Sequence, residues 1–165
     1  MTEPSIPSTE HARNARIELV DGHFVASNAV VVGACIIGED VNIWYGCVLR
    51  GDDASITIGR GTNLQDMTMV HPDPDKPLTI GEDVTIGHRA LIHCVEVGDR
   101  SLIGMGAILM EDVVVGEESL VAAGSVVFTV PGRIVRETTE EERSGIVRAS
   151  VKYVENARAF HARYR

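Results

Sequence analysis

The chain has 165 residues, enough for one domain with its own core, and it is acidic, with 24 Asp and Glu against 15 Lys and Arg. The formal net charge of −9 argues against partners that need a basic surface, so we expect neither nucleic acid nor an anionic membrane to bind. No apolar run reaches the length of a membrane span, the start lacks a signal peptide's apolar core, and the three cysteines form no C-x-x-C pair, so we expect a soluble protein of the reducing cytoplasm.

A repeat of six residues follows a short lead-in, residues 1–24. Between Phe24 and Phe128 an aliphatic residue returns every six positions, through seventeen units. These positions are Val25, Val31, Ile37, Ile43, Leu49, Ile58, Leu64, Val70, Ile80, Ile86, Ile92, Val97, Ile103, Leu109, Val115, Val121 and Val127. The frame slips at 53–57, in the Pro-rich segment 71–79, and by one residue after His93.

A hexapeptide repeat of this kind is typical of a parallel β-helix, in which short strands stack coil on coil around a continuous interior. The alternative, a β-sandwich, requires period-2 alternation and irregular turns, which this repeat does not have. The pattern resembles the left-handed hexapeptide-repeat proteins, which have three flat sides and three units per coil. We therefore predict an all-β fold with a C-terminal helix, in which a left-handed parallel β-helix spans residues 25–130.

The tail, residues 131–165, is predicted to be a linker followed by one α-helix. Thr139 and Glu142 have the spacing of a capping box at its start. One face then carries Ile146, Ser150, Tyr153, Ala157 and Phe160. We expect this face to pack along the side of the β-helix.

Three units per coil place every third unit directly above its predecessor, about 4.8 Å away. The second residues of the units then form three columns. The first column is Gly38, Gly59, Gly81, Gly98 and Gly116; the second is Ala26, Trp44, Gln65, Gly87, Gly104 and Ala122; the third is Val32, Arg50, His71, His93, Met110 and Phe128.

The third column brings His71 and His93 onto consecutive coils, with Cβ atoms expected roughly 5 Å apart. Two imidazoles at that separation can converge on one metal ion. His88 follows Gly87 of the second column, so it points outward from another edge and cannot easily reach the same ion within its own chain. A symmetric oligomer would bring that edge of a neighbour against the His71/His93 edge, so a single chain holds half a site.

The other three histidines, His11, His23 and His161, are expected to be solvated surface residues. Asp73 and Asp75 lie in a Pro-flanked loop that we also expect to be solvated.

The stretches "NIWYGCVLRGD", "TNLQDMTMVH" and "TIGHRALIHCVEVGDRSLIGMGAILM" resemble the γ-class carbonic anhydrases. The resemblance implies a homotrimer in which three histidines bind zinc, ferrous iron or cobalt at each subunit boundary. His71 and His93 would come from one chain and His88 from its neighbour. The resemblance also implies an arginine–aspartate contact between Arg50 and Asp52 or Asp66, and it places Gln65 beside the metal-bound hydroxide.

The loop between the first two histidines is shorter than in the best-studied branch of that family and has no glutamate to shuttle protons. The expected function is reversible hydration of CO2 to bicarbonate, with a metal-activated water as the nucleophile. Two alternatives stay open. One is a thioesterase or acyltransferase that uses coenzyme A and a single histidine base; the other is a non-catalytic assembly protein that keeps a structural metal.

Overall fold

The computed structural model describes residues 16–128 and 136–163, which form sixteen short strands and one helix. The strands are β1 Ile17–Val20, β2 His23–Ala26, β3 Val30–Ile37, β4 Asn42–Ile43, β5 Val48–Ile58, β6 Asn63–Leu64, β7 Met69–Val70, β8 Leu78–Ile80, β9 Thr85–Ile86, β10 Leu91–Ile92, β11 Glu96–Val97, β12 Leu102–Ile103, β13 Ile108–Leu109, β14 Val114–Val115, β15 Leu120–Val121 and β16 Val126–Val127. The helix is α1, Glu140–Arg163. Most of the predicted lead-in, with His11, lies outside the described residues, as do residues 129–135, which end the predicted β-helix and begin the predicted linker.

The strands from β2 onward stack in parallel into three faces. Face 1 is β2, β4, β6, β9, β12 and β15. Face 2 begins with the first halves of β3 and β5 and continues through β7, β10, β13 and β16. Face 3 contains the second halves of β3 and β5, then β8, β11 and β14. The predicted β-helix of hexapeptide repeats is therefore confirmed, and parallel pairing rules out the sandwich.

The core is the stack of repeat aliphatics inside the three faces. From Ile43 to Leu109 these side chains are almost completely buried. The strand registers stack one aliphatic side chain on the next; on face 2, for example, Leu49 lies opposite Val70 and Ile92 opposite Leu109. A single hexapeptide unit is too short to bury its own apolar side chain. Each coil is therefore stabilised mainly by its contacts with the coils above and below it.

The backbone geometry at the corners of the β-helix restricts which residues can occupy them. At many corners, the third residue after the buried aliphatic has a positive φ, as in Met67 (φ 65°) and Arg89 (φ 60°). Consecutive coils also approach closely at the first column, where a Cβ at Gly59 would lie 2.6 Å from the carbonyl carbon of Gly81. Only glycine fits such contacts, which explains four of the five glycines in this column; at Gly116 the nearest atom to an added Cβ would be Ser119 Oγ, at 3.7 Å.

Before the β-helix, β1 and β2 form an antiparallel hairpin through Asp21 and Gly22, both with positive φ. The repeat analysis did not predict this hairpin, because a single pair of strands carries no six-residue period. An Asp-Gly turn between two apolar-containing runs is nevertheless a recognised hairpin pattern.

The predicted C-terminal helix and its capping box are confirmed. The backbone N–H of Glu142 donates to Thr139 Oγ1 at 3.2 Å, and the backbone N–H of Thr139 donates to Glu142 Oε2 at 2.8 Å. The predicted face of α1 packs on β1 and on face 1 as far as β9. Ile146, Ser150 and Ala157 are buried in that contact.

The expectation that His161 is solvated was wrong. Its Nδ1 lies 2.8 Å from the carbonyl oxygen of Ile17, and its ring meets Phe24 edge-on with centroids 6.1 Å apart. His161 therefore helps to anchor the end of α1 to the hairpin. His23 is half-buried as well. No helix in the described residues is long and apolar enough to cross a membrane.

Candidate metal centre

The third column brings His71 and His93 together as predicted, one residue beyond the paired strands β7 and β10. Their rings are stacked, 6° from parallel, with centroids 5.5 Å apart. Both side chains are largely buried. The Nδ1 atom of His93 donates to the carbonyl oxygen of His71, because a carbonyl can only accept. With Nδ1 bonded to that carbonyl, Nε2 is the ring nitrogen that remains to bind a metal.

Carboxylates lie close to the Nε2 atoms of His71 and His93. His71 Nε2 lies 2.9 Å from Asp53 Oδ2, and His93 Nε2 lies 3.0 Å from Asp73 Oδ1 and 3.8 Å from Glu111 Oε1. Asp73 therefore contacts the site, contrary to the expectation of a solvated loop. The negative charge that these side chains concentrate beside two imidazoles favours a cation at this edge.

His88 lies on a different corner, after β9, as predicted. Its Nδ1 lies 2.9 Å from Asp66 Oδ2, so the carboxylate accepts the Nδ1 proton and leaves Nε2 free for a metal. The backbone N–H of His88 donates to Oε1 of Gln65 at 3.2 Å. The buried Gln65 amide also donates to Asn63 Oδ1 at 3.4 Å, which uses one of its two N–H donors.

Arg50 pairs with Asp52 in this chain, at 2.6 Å, and lies 3.9 Å from Asp53. Asp66, the other expected partner, is instead bonded to His88. Both side chains of the Arg50–Asp52 pair are more than a third exposed, so the pair contributes little to folding stability in the isolated chain.

The donor atoms of one chain do not converge on a single three-histidine site. Among the described residues, His71 groups with Asp52 and Asp53, and His93 groups with Asp73 and Glu111, each group having its ligand atoms within 4.8 Å of one another. His88 belongs to neither group. A site made of all three imidazoles therefore requires a second chain.

An unbroken apolar row runs along the outside of face 2, between the two histidine corners. The row is Val30, Val48, Met69, Leu91, Ile108 and Val126, which stand opposite one another on consecutive coils. The equivalent row of face 3 has Thr57, Thr79 and Glu96 at its centre. We call the corner with Gln65 and His88 edge 1–2, and the corner with Arg50, His71 and His93 edge 2–3.

Cys94 follows His93 directly but faces the interior. Burial raises the pKa of its thiol to about 12 and that of Cys47 to about 11. Neither side chain supplies a thiolate near neutral pH, so nitrogen and oxygen donors define the site.

Sequence reasoning missed three acidic side chains beside the histidines: Asp53, Asp73 and Glu111. A signal was present for Glu111, which follows Met110 of the third column one coil after His93. Asp53 lies where the six-residue frame slips, so the column assignment could not place it.

The chain is similar to several known proteins. Residues 94–129 match the family described as bacterial transferase hexapeptide (six repeats). A mitochondrial γ carbonic anhydrase 2 of Arabidopsis thaliana is 41% identical over an alignment of 157 positions, which covers 84% of this chain and 56% of that protein. A carbonic anhydrase of Geobacillus kaustophilus is 34% identical, over 84% of this chain and 83% of the relative. The crystal structure of a hexapeptide transferase family protein from Anaplasma phagocytophilum has a TM-score of 0.80 at 36% identity, covering 86% of this chain and 90% of that one.

The chain thus belongs to the γ-class carbonic anhydrase family of hexapeptide-repeat proteins. It spans just over half the length of the Arabidopsis relative. The roles of His71, His88 and His93 as ligands, and of Gln65, Arg50 and Asp66 beside them, stay predictions.

Proposed function

We propose that this chain is a carbonic anhydrase that hydrates CO2 reversibly to bicarbonate, as a homotrimer with a metal site at each subunit boundary. The observation that carries the proposal is the placement of three histidines around face 2. His88 lies on edge 1–2, the stacked pair His71/His93 lies on edge 2–3, and the apolar row lies between them. His88 and His93 belong to consecutive units of the same coil.

A three-fold axis parallel to the coil stack accounts for this arrangement. Rotation about such an axis keeps every coil at its own height, so coil meets the same coil of the neighbour. Three copies that turn their apolar rows toward the axis bring edge 1–2 of each against edge 2–3 of the next. The contact is heterologous and closes after three copies, leaving no open end for a filament.

The residues at this boundary suit a divalent metal with nitrogen ligands. His71 and His93 of one chain and His88 of the next would hold it, and zinc is the metal we propose, with ferrous iron or cobalt able to use the same donors. Asp66 and the carbonyl oxygen of His71 fix the ring tautomers of His88 and His93. Zinc with three imidazole ligands supplies a hydroxide nucleophile at neutral pH by lowering the pKa of water to about 7.

Two further side chains have roles in this proposal. The second N–H of the Gln65 amide orients the nucleophile, since its first N–H and its oxygen are already bonded. Arg50 attracts the anionic product, or exchanges Asp52 for Asp66 of the next chain. The segment between His71 and His88 offers no glutamate to shuttle the proton released on each turnover, because its one glutamate, Glu82, pairs with Arg60. That proton then goes to solvent buffer, unless Glu111, 3.8 Å from His93 Nε2, accepts it. Hydration should then rise with imidazole buffer concentration.

The three free cysteines support a reducing compartment, which we propose to be the cytoplasm.

Complementation between variants tests the proposal. His88→Ala alone, and His71→Ala with His93→Ala, should each abolish metal binding and CO2 hydration in anaerobically purified protein. Mixing and refolding the two variants should restore one complete site per mixed trimer, because one chain supplies His88 and the other supplies the pair. His161→Ala serves as a histidine control and should keep its metal.

Failure of the mixture to recover metal, with trimers present by sedimentation, would contradict the shared site. Full metal occupancy without hydration, but with hydrolysis of an acyl-coenzyme A, would assign the chain to the thioesterase alternative.

A further inference from the structure

A cleft of about 380 Å³ opens on edge 1–2, beside α1. Leu102 and Leu120 of face 1 form one wall, and Tyr153 of α1 forms another. Four of the corner residues along it are small, namely Gly87, Gly104, Ala122 and Ala123, and Met105 lies among them. Gln65 and His88 line the same cleft, so it is continuous with the candidate metal site. Its lining is mostly apolar, which calls for an apolar occupant.

Edge 2–3 carries the complementary feature. Above His93 in the third column come Met110 and then Phe128, and the Phe128 side chain is 60% exposed in the isolated chain. A phenylalanine exposed to this degree offers a large apolar area that a neighbouring chain can bury. Large apolar residues thus occupy the upper coils of edge 2–3, where edge 1–2 has Gly104, Ala122 and Ala123 with the flexible side chain of Met105 among them.

Along the coil stack, Phe128 lies at the height of Ala122 and Ala123, which line the upper end of the cleft. Phe128 follows β16 and Ala122 follows β15, and the two strands belong to consecutive units of the last coil. The rotation that brings His88 against His93 two coils below brings Ala122 and Ala123 against Phe128 by the same operation. No adjustment of the trimer is needed for this second contact.

We propose that Phe128 of one chain packs into the upper end of this cleft, against Ala122 and Ala123 of the next chain, an inference that rests on the trimer proposed above. The contact places an apolar anchor on edge 1–2 of the neighbour, two coils above its His88. It therefore covers the upper end of the cleft. Aromatic anchors in small-residue pockets are typical of the residues that dominate interface energies.

Disulfide trapping tests the contact directly. The variant with Ala123→Cys and Phe128→Cys should form covalent trimers on mild oxidation, seen on a non-reducing gel. Each single variant and the native chain, with its own three cysteines, should form none. The matched control pairs Ala123→Cys with Val32→Cys, which lies in the same column as Phe128 but five coils away, at about 24 Å. That pair should not form covalent trimers.

A second measurement uses truncation of the anchor. Phe128→Ala should raise the concentration at which trimers dissociate by about tenfold or more, and Val114→Ala, on face 3, should leave it unchanged. The test separates this contact from the proposed function. Trimers that bind metal through the three histidines but do not cross-link at 123 and 128 overturn the contact and leave the function standing. Cross-linked trimers without a three-histidine metal site support the contact and contradict the function. A monomer by sedimentation overturns both.

Discussion

Asp66 and His88 show how single residues prepare a metal site in this chain. The carboxylate of Asp66 accepts from Nδ1 of His88 at 2.9 Å, and the backbone of His88 is in turn bonded to Gln65. Both partners lie on edge 1–2 in neighbouring coils, so the rigid stack sets the direction of the imidazole. A carboxylate in this position orients the ring and raises its basicity toward a metal.

Loss of the Asp66 carboxylate should weaken metal binding without unfolding the protein. We expect Asp66→Ala to lower zinc affinity by about 10- to 100-fold, since the ring of His88 loses its orienting partner. Competition with a chromophoric chelator measures the affinity, and sedimentation checks that trimers persist. Asp75→Ala, in the exposed loop, is the control and should bind zinc like the native chain. Equal affinities for both variants would show that Asp66 does not act through His88.

Core and surface residues of one strand should respond very differently to truncation. Ile80 is completely buried in β8, whereas its neighbour Thr79 points to solvent on face 3. Ile80→Ala leaves a cavity that the coils above and below cannot close, so we expect a loss of about 2–5 kcal/mol in the free energy of unfolding. Thr79→Ala should change it by about 0.5 kcal/mol or less. Denaturant unfolding at one fixed protein concentration gives both values, and similar losses would contradict the register of β8.

At the scale of elements, α1 is held at both ends by specific contacts. Its start has a reciprocal capping box, and its end packs Ala157 and His161 against the first strands. Trp44 meets the rings of Tyr153 and Phe160 edge-on, at centroid distances of 5.8 and 5.6 Å. The helix therefore covers one side of the β-helix and forms a wall of the cleft.

Removal of the N-terminal cap should loosen the first turns of α1. Thr139→Ala leaves an unsatisfied backbone N–H, which typically costs about 0.5–2 kcal/mol. Hydrogen exchange at residues 140–146 should speed up accordingly, while exchange in the β-helix stays the same. Glu141→Ala, in the exposed first turn, is the control. Unchanged exchange in Thr139→Ala would mean that tertiary contacts alone hold the helix start.

The same helix start should be sensitive to acid. A hydrogen bond from Arg136, followed by the backbone N–H of Thr139, lowers the pKa of Glu142 from 4.5 to about 2. A lowered pKa in the folded state means that the carboxylate stabilises the helix start above pH 4.5. This contribution is lost as the pH falls toward 2. Glu142→Gln should therefore be less stable than the native chain at pH 7, and the difference should vanish near pH 2. Unfolding curves across that range measure it; a constant difference would contradict the ion pair.

At the scale of the whole molecule, the apolar row of face 2 is the surface on which the proposed trimer would depend. Leu91 stands at its centre, in the coil that carries His88 and His93. Face 3 instead exposes threonine and glutamate in the equivalent row, so it is not suited to the same contact. Assembly and metal binding should consequently be lost together.

A charge placed on this row tests that coupling. Leu91→Asp would bury a carboxylate without a partner between subunits, so we expect monomers by sedimentation and no tightly bound metal. Val114→Asp introduces the same charge on face 3, where the side chain is 62% exposed, and should leave trimers and metal intact. A Leu91→Asp protein that stays trimeric would place the subunit contact on another face.

The sequence by itself determined the β-helix, its three columns and the position of α1, because each depends on local periodicity. Six-residue spacing decides which residues stack, so the repeat alone pairs His71 with His93 although 22 positions separate them along the chain. The capping box was equally readable, since both of its hydrogen bonds join residues three apart.

Only the tertiary structure decided what surrounds those histidines. Asp53 and Asp73 reach them from irregular segments where the period slips, and Asp66 bonds His88 while Arg50 bonds Asp52. The cleft beside Tyr153 arises between α1 and the β-helix, two elements that contact each other although they are far apart in the sequence. The repeat predicts only which repeat positions stack on one another. Contacts made by loops and by a helix that returns along the stack depend on three-dimensional packing, and the spacing of residues in the sequence does not predict them.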